Sequence, residues 1–324
     1  MRPPAPAVGA LGRSGLAVTR IGLGLAAAGR PGYINVGHHT DVAAGREAGA
    51  MEAAAHALLD AAFAGGIRYL DAARSYGRAE QFLASWLDRR GLRPEEVTVG
   101  SKWGYTYTAG WRVDAPTHEV KDLSVQTLRR QLAETRALLG DRLGLYQIHS
   151  ATIESGVLED AEVMDALAGL RRDGVAIGLT VTGPRQAETI ERAVSLGAFD
   201  SVQATWNLLE RSAGPALALA HAAGLGVIVK EALANGRLTD RGDVPELRRA
   251  AARRGVGSDA LALAVVLDQP WADVVLSGAA TVAALESNLT ATAVTAAADV
   301  EQELAEIVRD PVVYWQERAA LPWN

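Results

Sequence analysis

Four residues have the types and spacing for acid–base chemistry. They are Asp71 and Tyr76 in YLDAARSYG, Lys102 in VGSKWGY and His149 in LYQIHSA. A free phenol titrates near about 10 and is a poor acid at neutral pH. A neighbouring ammonium stabilises the phenolate and lowers that pKa. Lys102 can supply the ammonium, held by an ion pair to Asp71. His149 can hydrogen-bond a substrate oxygen and fix its position. Together they form a proton donor and acceptor for an oxygen that passes between carbonyl and alcohol. No side chain carries a hydride, so the redox version of this chemistry requires a cofactor. Singly, each residue has a blander reading: Asp71 as a cap or turn former, Lys102 as a solvated charge, Tyr76 as packing, His149 as a structural histidine. Four ionisable groups at one mouth are harder to assign to packing, because charges there lose hydration unless paired.

What must position them is a repeating pattern. Short β-branched and Leu-rich runs alternate with stretches of helical period, which reads as βα units and a parallel sheet. The expected strands are Ile21 to Leu25, Ile67 to Leu70, Val97 to Ser101, Leu145 to Ile148, Ile177 to Val181, Ser201 to Ala204, Gly226 to Val229 and Val274 to Ser277. Asp71, Lys102 and His149 each follow one of them. Glycines such as Gly91, Gly174, Gly197 and Gly255 follow helical runs, as stop signals do. Eight repeats without a linker favour a single (β/α)8 TIM barrel over residues 1–324, in which reacting groups sit at strand C-termini. A doubly wound sheet is the weaker alternative, because no strand-to-helix turn carries GxGxxG. Residues 7–20 read as an N-terminal β-hairpin over the barrel floor. Residues 297–324 read as a C-terminal helix followed by the tail VVYWQERAALPWN. A long loop from Gly29 to about Gly49 holds Tyr33, His38 and His39, and long loops of this kind are usually functional.

Composition narrows the class. Apolar residues make up 49% and charged residues 22%, enough for a full core. The net charge is −6 with no basic stripe, which disfavours nucleic acid and anionic membrane surfaces as partners. There is no cysteine, which excludes thiolate metal sites and Cys nucleophiles. No window has membrane-like composition and MRPPAPAVGA is not a signal peptide, so a cytoplasmic protein is expected. No metal site is expected, since adjacent His38 and His39 do not easily share a tetrahedral ion. The oligomeric state is not legible.

The series LGRSGLAVTRIGLGL, YLDAARSYG, SKWGY, IHS and VQATWN resembles the aldo-keto reductase superfamily, in order, from about Leu11 to Leu289. The N-terminal part is most similar to bacterial and plant aldose or sugar-lactone-forming dehydrogenases. The resemblance implies Tyr76 as general acid/base, Asp71 and Lys102 as its tuning pair, and His149 as the substrate-orienting group. It implies a nicotinamide cofactor, NAD or NADP, extended across the barrel mouth. Gln203 then faces the carboxamide and Trp206 stacks on the nicotinamide. The family's Ser-Asn pair is Thr180-Val181 here, where only Thr180 keeps a polar group. KEALANGRL supplies Lys230, Leu233, Asn235, Gly236 and Arg237 around the pyrophosphate. SGAATVAALESNL supplies Gly278 and Asn288, the latter for the adenine. Ala279, Ala280 and Ala284 stand where cations for a 2′-phosphate are usual, and Ser287 stands where an acid is usual, which favours NAD. Arg237 is the residue that could still reach such a phosphate.

The aromatic loop WGYTYTAGW brings Trp103, Tyr105, Tyr107 and Trp111 close together, either as a pocket wall for a sugar or ring substrate or as a self-anchored loop. Tyr33, with His38, His39, Trp315 and Trp323, is expected to help close that pocket. The function expected is NAD(P)-dependent interconversion of a small aldehyde, ketone or sugar with an alcohol. Two other readings remain at this level: an isomerase or epimerase that keeps its nicotinamide bound, and a non-catalytic regulatory subunit. The intact quartet argues against the last.

Overall fold

A computed structural model describes residues 8–42, 45–295 and 297–324. Residues 1–7, which include the start of the expected hairpin span, and residues 43 and 44 of the long loop lie outside the described residues.

Eight strands close into one parallel barrel. They are β1 (Ile21–Gly24), β2 (Tyr69–Asp71), β3 (Thr98–Trp103), β4 (Leu143–Ala151), β5 (Ala176–Val181), β6 (Ser201–Thr205), β7 (Gly226–Lys230) and β8 (Val274–Ser277). β8 returns to pair with β1 through Val275 opposite Ile21, which removes every free edge. Parallel pairing requires crossovers, and helices such as Ala48–Ala64, Ala79–Arg90 and Val125–Leu139 make them on the outside. The strands are buried on both faces, which is why they read as continuous apolar runs. Side-chain capping sets several helix starts: the Ser124 hydroxyl accepts from the Thr127 amide at 3.3 Å, and Asp160 accepts from the Val163 amide at 3.1 Å.

The floor of the barrel is apolar. Strand Val8–Ala10 pairs antiparallel with Ala17–Thr19 beneath it. Leu11 and Val18 pack there with Tyr69, Leu145, Ile228 and Val274. Gly12, at φ 47°, fits because an added Cβ would lie 2.2 Å from the Gly226 nitrogen. Higher up, Gly100 leaves room for Tyr69, whose hydroxyl would lie 2.5 Å from a Cβ. That hydroxyl donates to Asp71 Oδ2 at 3.2 Å. The interior thus passes from an apolar floor to a polar mouth along a single strand.

Two elements differ from the sequence expectation. Tyr105–Tyr107 and Glu119–Lys121 form a second hairpin within the aromatic loop, with Tyr107 opposite Glu119. The C-terminal segment is not a simple tail. Ala297–Glu303 is followed by a further helix, Pro311–Ala319, with Asp310 accepting from the Val312 amide at 2.9 Å and Pro at its first turn. Among the described residues no helix is long and apolar enough to cross a membrane.

Candidate active site

The C-terminal ends of the strands open into a cavity of about 670 Å³. Strand alternation selects what enters it. On β2, Tyr69 and Asp71 face inward; on β3, Lys102 faces inward; on β4, Gln147 and His149 do. Lys102 is 1% exposed and donates to Asp71 and, at 2.9 Å, to the Ala72 carbonyl. Asp71 Oδ2 also accepts from the Gln203 amide at 3.0 Å, so β2, β3 and β6 meet on one carboxylate. Tyr76 follows β2 on a short turn, and Lys102 Nζ lies 4.7 Å from its ring centre. The His149 ring meets the Tyr76 ring edge-on at 5.6 Å and the Tyr105 ring at 4.9 Å. The structure therefore brings Asp71, Tyr76, Lys102 and His149 together.

A bulge aims His149. The β4–β5 register shifts between Ile148 and Ala151, and Ser150 sits at φ 58°. Bulges beside sites re-aim side chains in this way. The bulge is pinned by the Ser150 amide, which donates to Thr180 Oγ1 at 2.7 Å. Thr180 is fully buried and lies outside the cavity lining, so its hydroxyl supports β4 and is not open to a cofactor as the sequence suggested.

Electrostatics hold the quartet in defined states. Burial lowers the Lys102 ammonium, and Asp71 opposes that shift. Burial, followed by Lys102 and Lys230, pushes His149 well below its ordinary value, so the imidazole is neutral at pH 7. Burial and then Asp71 push the Tyr76 phenol well above 10, with Arg30 pulling the other way. This corrects the expectation that a neighbouring ammonium would set the phenol below its ordinary value: burial and the Asp71 charge outweigh the cations beside it. The phenol is a held proton rather than a phenolate.

The cavity continues over β6, β7 and β8. Gln203, Lys230, Leu233, Asn235, Gly236, Gly278 and Asn288 all line it. Its wall after β7 is held in costly backbone: Glu231, Ala234 and Asn235 have φ of 53°, 48° and 55°. Lys230 Nζ donates to Thr205 Oγ1 at 2.8 Å, and burial, opposed by Glu231, brings it down to about 8. The Asn288 amide is oriented to donate to Asp259 Oδ2 at 2.9 Å and to accept from the Ser277 hydroxyl at 2.8 Å.

Four other expected contacts are corrected. Trp206 is 2% exposed and packs on Trp271 at 5.5 Å, outside the cavity. It stands three residues after inward-facing Gln203, an odd step that turns it to the helix side. Trp103 follows inward Lys102 by one residue and is buried in the core for the same reason. Trp111 is held by Phe82 and Arg78, with its Nε1 donating to the Arg46 carbonyl at 2.6 Å, so it anchors the loop instead of walling the pocket. Arg237 donates to Glu317 at 2.8 Å and to Asp243 at 3.3 Å and does not line the cavity. Tyr33, Tyr105 and Trp323 do line it. His38 is buried against Tyr33, whereas the exposed His39 contacts Asn324.

Sequence reasoning missed several lining residues. Arg30, Glu119, Glu231, Arg241 and Arg318 bring charge into the cavity, as do Asp240 and Asp259. None of these was picked out from a strand end, and only the fold reveals their convergence. Burial would raise Glu231, but Arg318 and Lys230 overcome it and hold that carboxylate at about 2.

The profile described as the Aldo/keto reductase family matches residues 21–309. Pyridoxal 4-dehydrogenase of Microbacterium luteolum is 30% identical over 161 residues, 43% of this chain and 42% of that protein. The uncharacterised oxidoreductases YqkF and YrpG of Bacillus subtilis (strain 168) are 26% and 29% identical, over 57% and 70% of this chain and 57% and 67% of their own lengths. The matched stretches thus span about half the length of the first two relatives. The crystal structure of a protein of Pseudomonas aeruginosa described as a "putative aldo-keto reductase" superposes with a TM-score of 0.66 at 28% identity, covering 92% of this chain and 96% of that one. An aldo-keto reductase from Bacillus halodurans, in a holo form, gives a TM-score of 0.72 at 21% identity over 95% and 98% of the two chains, a likeness of fold.

Proposed function

The chain belongs to the aldo/keto reductase family, and on that premise we propose that it is an oxidoreductase that interconverts a small aldehyde, ketone or sugar with the corresponding alcohol, using NAD(P) and Tyr76 as the general acid/base. The observation that carries the reading is the convergence of Tyr76, Lys102, Asp71 and His149 beside a groove of about 670 Å³ that continues over β6, β7 and β8.

The groove suits an extended nicotinamide dinucleotide. Gln203 and Lys230 line its middle, and Asn235 has a buried Oδ1 with no protein partner. A Cβ built on Gly278 would project into open space, so the backbone there is left bare to the groove. When bound, the nicotinamide supplies or accepts the hydride. The chain handles the rest. Neutral His149 hydrogen-bonds the substrate oxygen and places it against Tyr76. The raised phenol then donates its proton to that oxygen during reduction and accepts it during oxidation. Lys102, fixed by Asp71, stabilises the phenolate that forms.

The far end of the groove favours NAD. It is lined by Ala279, Ala280, Ala284 and Ser287, together with Asp240 and Asp259. The cation lining that stretch, Arg241, is already bonded to Asp41 at 2.7 Å. A 2′-phosphate of nearly two negative charges gains little there and meets two carboxylates. The similarity to a protein named pyridoxal 4-dehydrogenase is consistent with a small carbonyl substrate. Tryptophan-fluorescence titration with NAD and NADP, followed by a sugar, aldehyde and alcohol panel read by reduced-nicotinamide absorbance, tests the proposal. Saturable binding of NAD with turnover of a carbonyl–alcohol pair is expected. Binding of neither nucleotide contradicts it.

A further inference from the structure

The substrate end of the cavity holds an ion pair, with a buried arginine and a half-buried glutamate, that the acid–base chemistry does not use. Arg30 is 3% exposed and lines the cavity. Its Nη1 donates to Glu119 Oε2 at 3.0 Å and to the Ser75 carbonyl at 3.1 Å. The guanidinium carbon lies 5.1, 5.2 and 4.8 Å from the ring centres of Tyr33, Tyr76 and Trp323. Its Nε is buried without a partner. Glu119 also lines the cavity, on the hairpin strand opposite Tyr107. Three rings and a carboxylate therefore fix a planar donor beside Tyr76, and leave part of its hydrogen-bonding capacity unused.

We propose that Arg30 and Glu119 form a hydroxyl-reading pair that makes a neutral polyhydroxylated carbonyl compound, or its ring-closed form, the preferred substrate of the reaction proposed above, on which this inference rests. Charge balance leads to this class. Glu119 already neutralises Arg30, so an anionic substrate gains little from the guanidinium and is repelled by the carboxylate. A cationic substrate meets the reverse. A vicinal diol satisfies both partners: one hydroxyl donates to Glu119 and its neighbour accepts from Arg30. Tyr33, Tyr105 and Trp323 offer apolar faces for the C–H surface of such a molecule. Arg30 is thus a specificity-determining residue, and Glu119 is its complement.

The test compares neutral aldoses, the matching hexuronic acids and benzaldehyde, which has no hydroxyl, in the nicotinamide-loaded protein and in its Arg30→Lys, Arg30→Met and Glu119→Gln variants. The unaltered protein is expected to prefer aldoses to hexuronic acids. Each variant is expected to lower the aldose-to-benzaldehyde ratio of kcat/KM by about 10- to 100-fold, the loss of one hydrogen bond to a charged group, and mainly through KM. Glu119→Gln is also expected to shift preference towards the hexuronic acids, and it keeps the proposal testable if an Arg30 variant does not fold. An unchanged ratio overturns the proposal. So does an equal loss on aldose and benzaldehyde, which would mean that Arg30 acts through Tyr76. Failure of the unaltered protein to turn over any member of the panel would remove the carbonyl–alcohol reading and this proposal with it. Benzaldehyde turnover with an unmoved ratio overturns this proposal alone.

Discussion

His149 and Tyr76 titrate against their ordinary habits, and both shifts have kinetic consequences. Burial keeps the imidazole neutral as pH falls, because its proton affinity lies well below that of a free histidine. The rate of carbonyl reduction is therefore expected to show no acid limb near about 6.5, the free-histidine value. A limb there that disappears in His149→Asn would contradict a neutral imidazole. The phenol, raised by burial and Asp71, keeps its proton through neutral and mildly alkaline pH. In the proposed mechanism reduction consumes that proton and should hold its rate across this range. Oxidation must place a proton on the phenolate and should speed up as pH rises, and paired pH–rate profiles in the two directions check the difference. Asp71→Asn leaves the buried Lys102 ammonium without its anion. Removing one partner of such a pair typically costs about 3–5 kcal/mol, to be read in denaturant unfolding, and turnover should fall with it.

At the scale of elements, the segment after β7 is tied to the C-terminal helix by Arg318, which donates to Glu231 Oε1 and Oε2 at 3.1 Å from Nε. The Glu231 carboxylate is held at about 2, against 4.5 ordinarily. A carboxylate with a depressed folded-state pKa adds stability that is fully present above the unfolded value and fades as pH falls towards the folded one. Acid unfolding should therefore steepen between about 4.5 and 2. In Arg318→Met this component should shrink, since Lys230 alone then holds the carboxylate down, and the variant should be less stable at neutral pH. A superimposable stability–pH curve in the variant would refute the tie. The strands were readable because parallel, doubly buried β-structure needs uninterrupted apolar runs, such as Val274–Ser277. The hairpin strand Glu119–Lys121 was not, because EVK is short and polar and pairs only through the loop's tertiary path. The Pro311–Ala319 helix did carry signals, Asp310 before Pro311, but they lie among tail-like residues.

At the scale of the whole molecule, closure of the sheet decides which residues meet. Asp71, Lys102 and His149 were legible as strand-end residues because the barrel places all strand ends on one face. Trp103 and Trp206 were misread because side-chain parity, and not nearness to a strand end, decides inside from outside. Arg30 and Glu119 lie 89 positions apart in the chain and meet only when a loop and a hairpin fold over the same mouth. In the proposed function the same global arrangement is what favours NAD, through Asp240, Asp259 and the alanines that line the cavity after β8. Ala280→Arg adds a cation at that end and should raise NADP affinity relative to NAD by roughly 10-fold, the scale of one charge-assisted contact. An unchanged ratio in paired titrations would place the ribose elsewhere.

Tyr76→Phe, measured for both nucleotide Kd and turnover of the best carbonyl–alcohol pair, tests the proposed chemistry most directly. Removal of one hydroxyl that acts only on the reacting oxygen should lower kcat by about 10²- to 10⁴-fold and leave the nucleotide Kd nearly unchanged. A variant that retains its turnover, or that loses nucleotide affinity to the same degree as kcat, would contradict the role given to Tyr76.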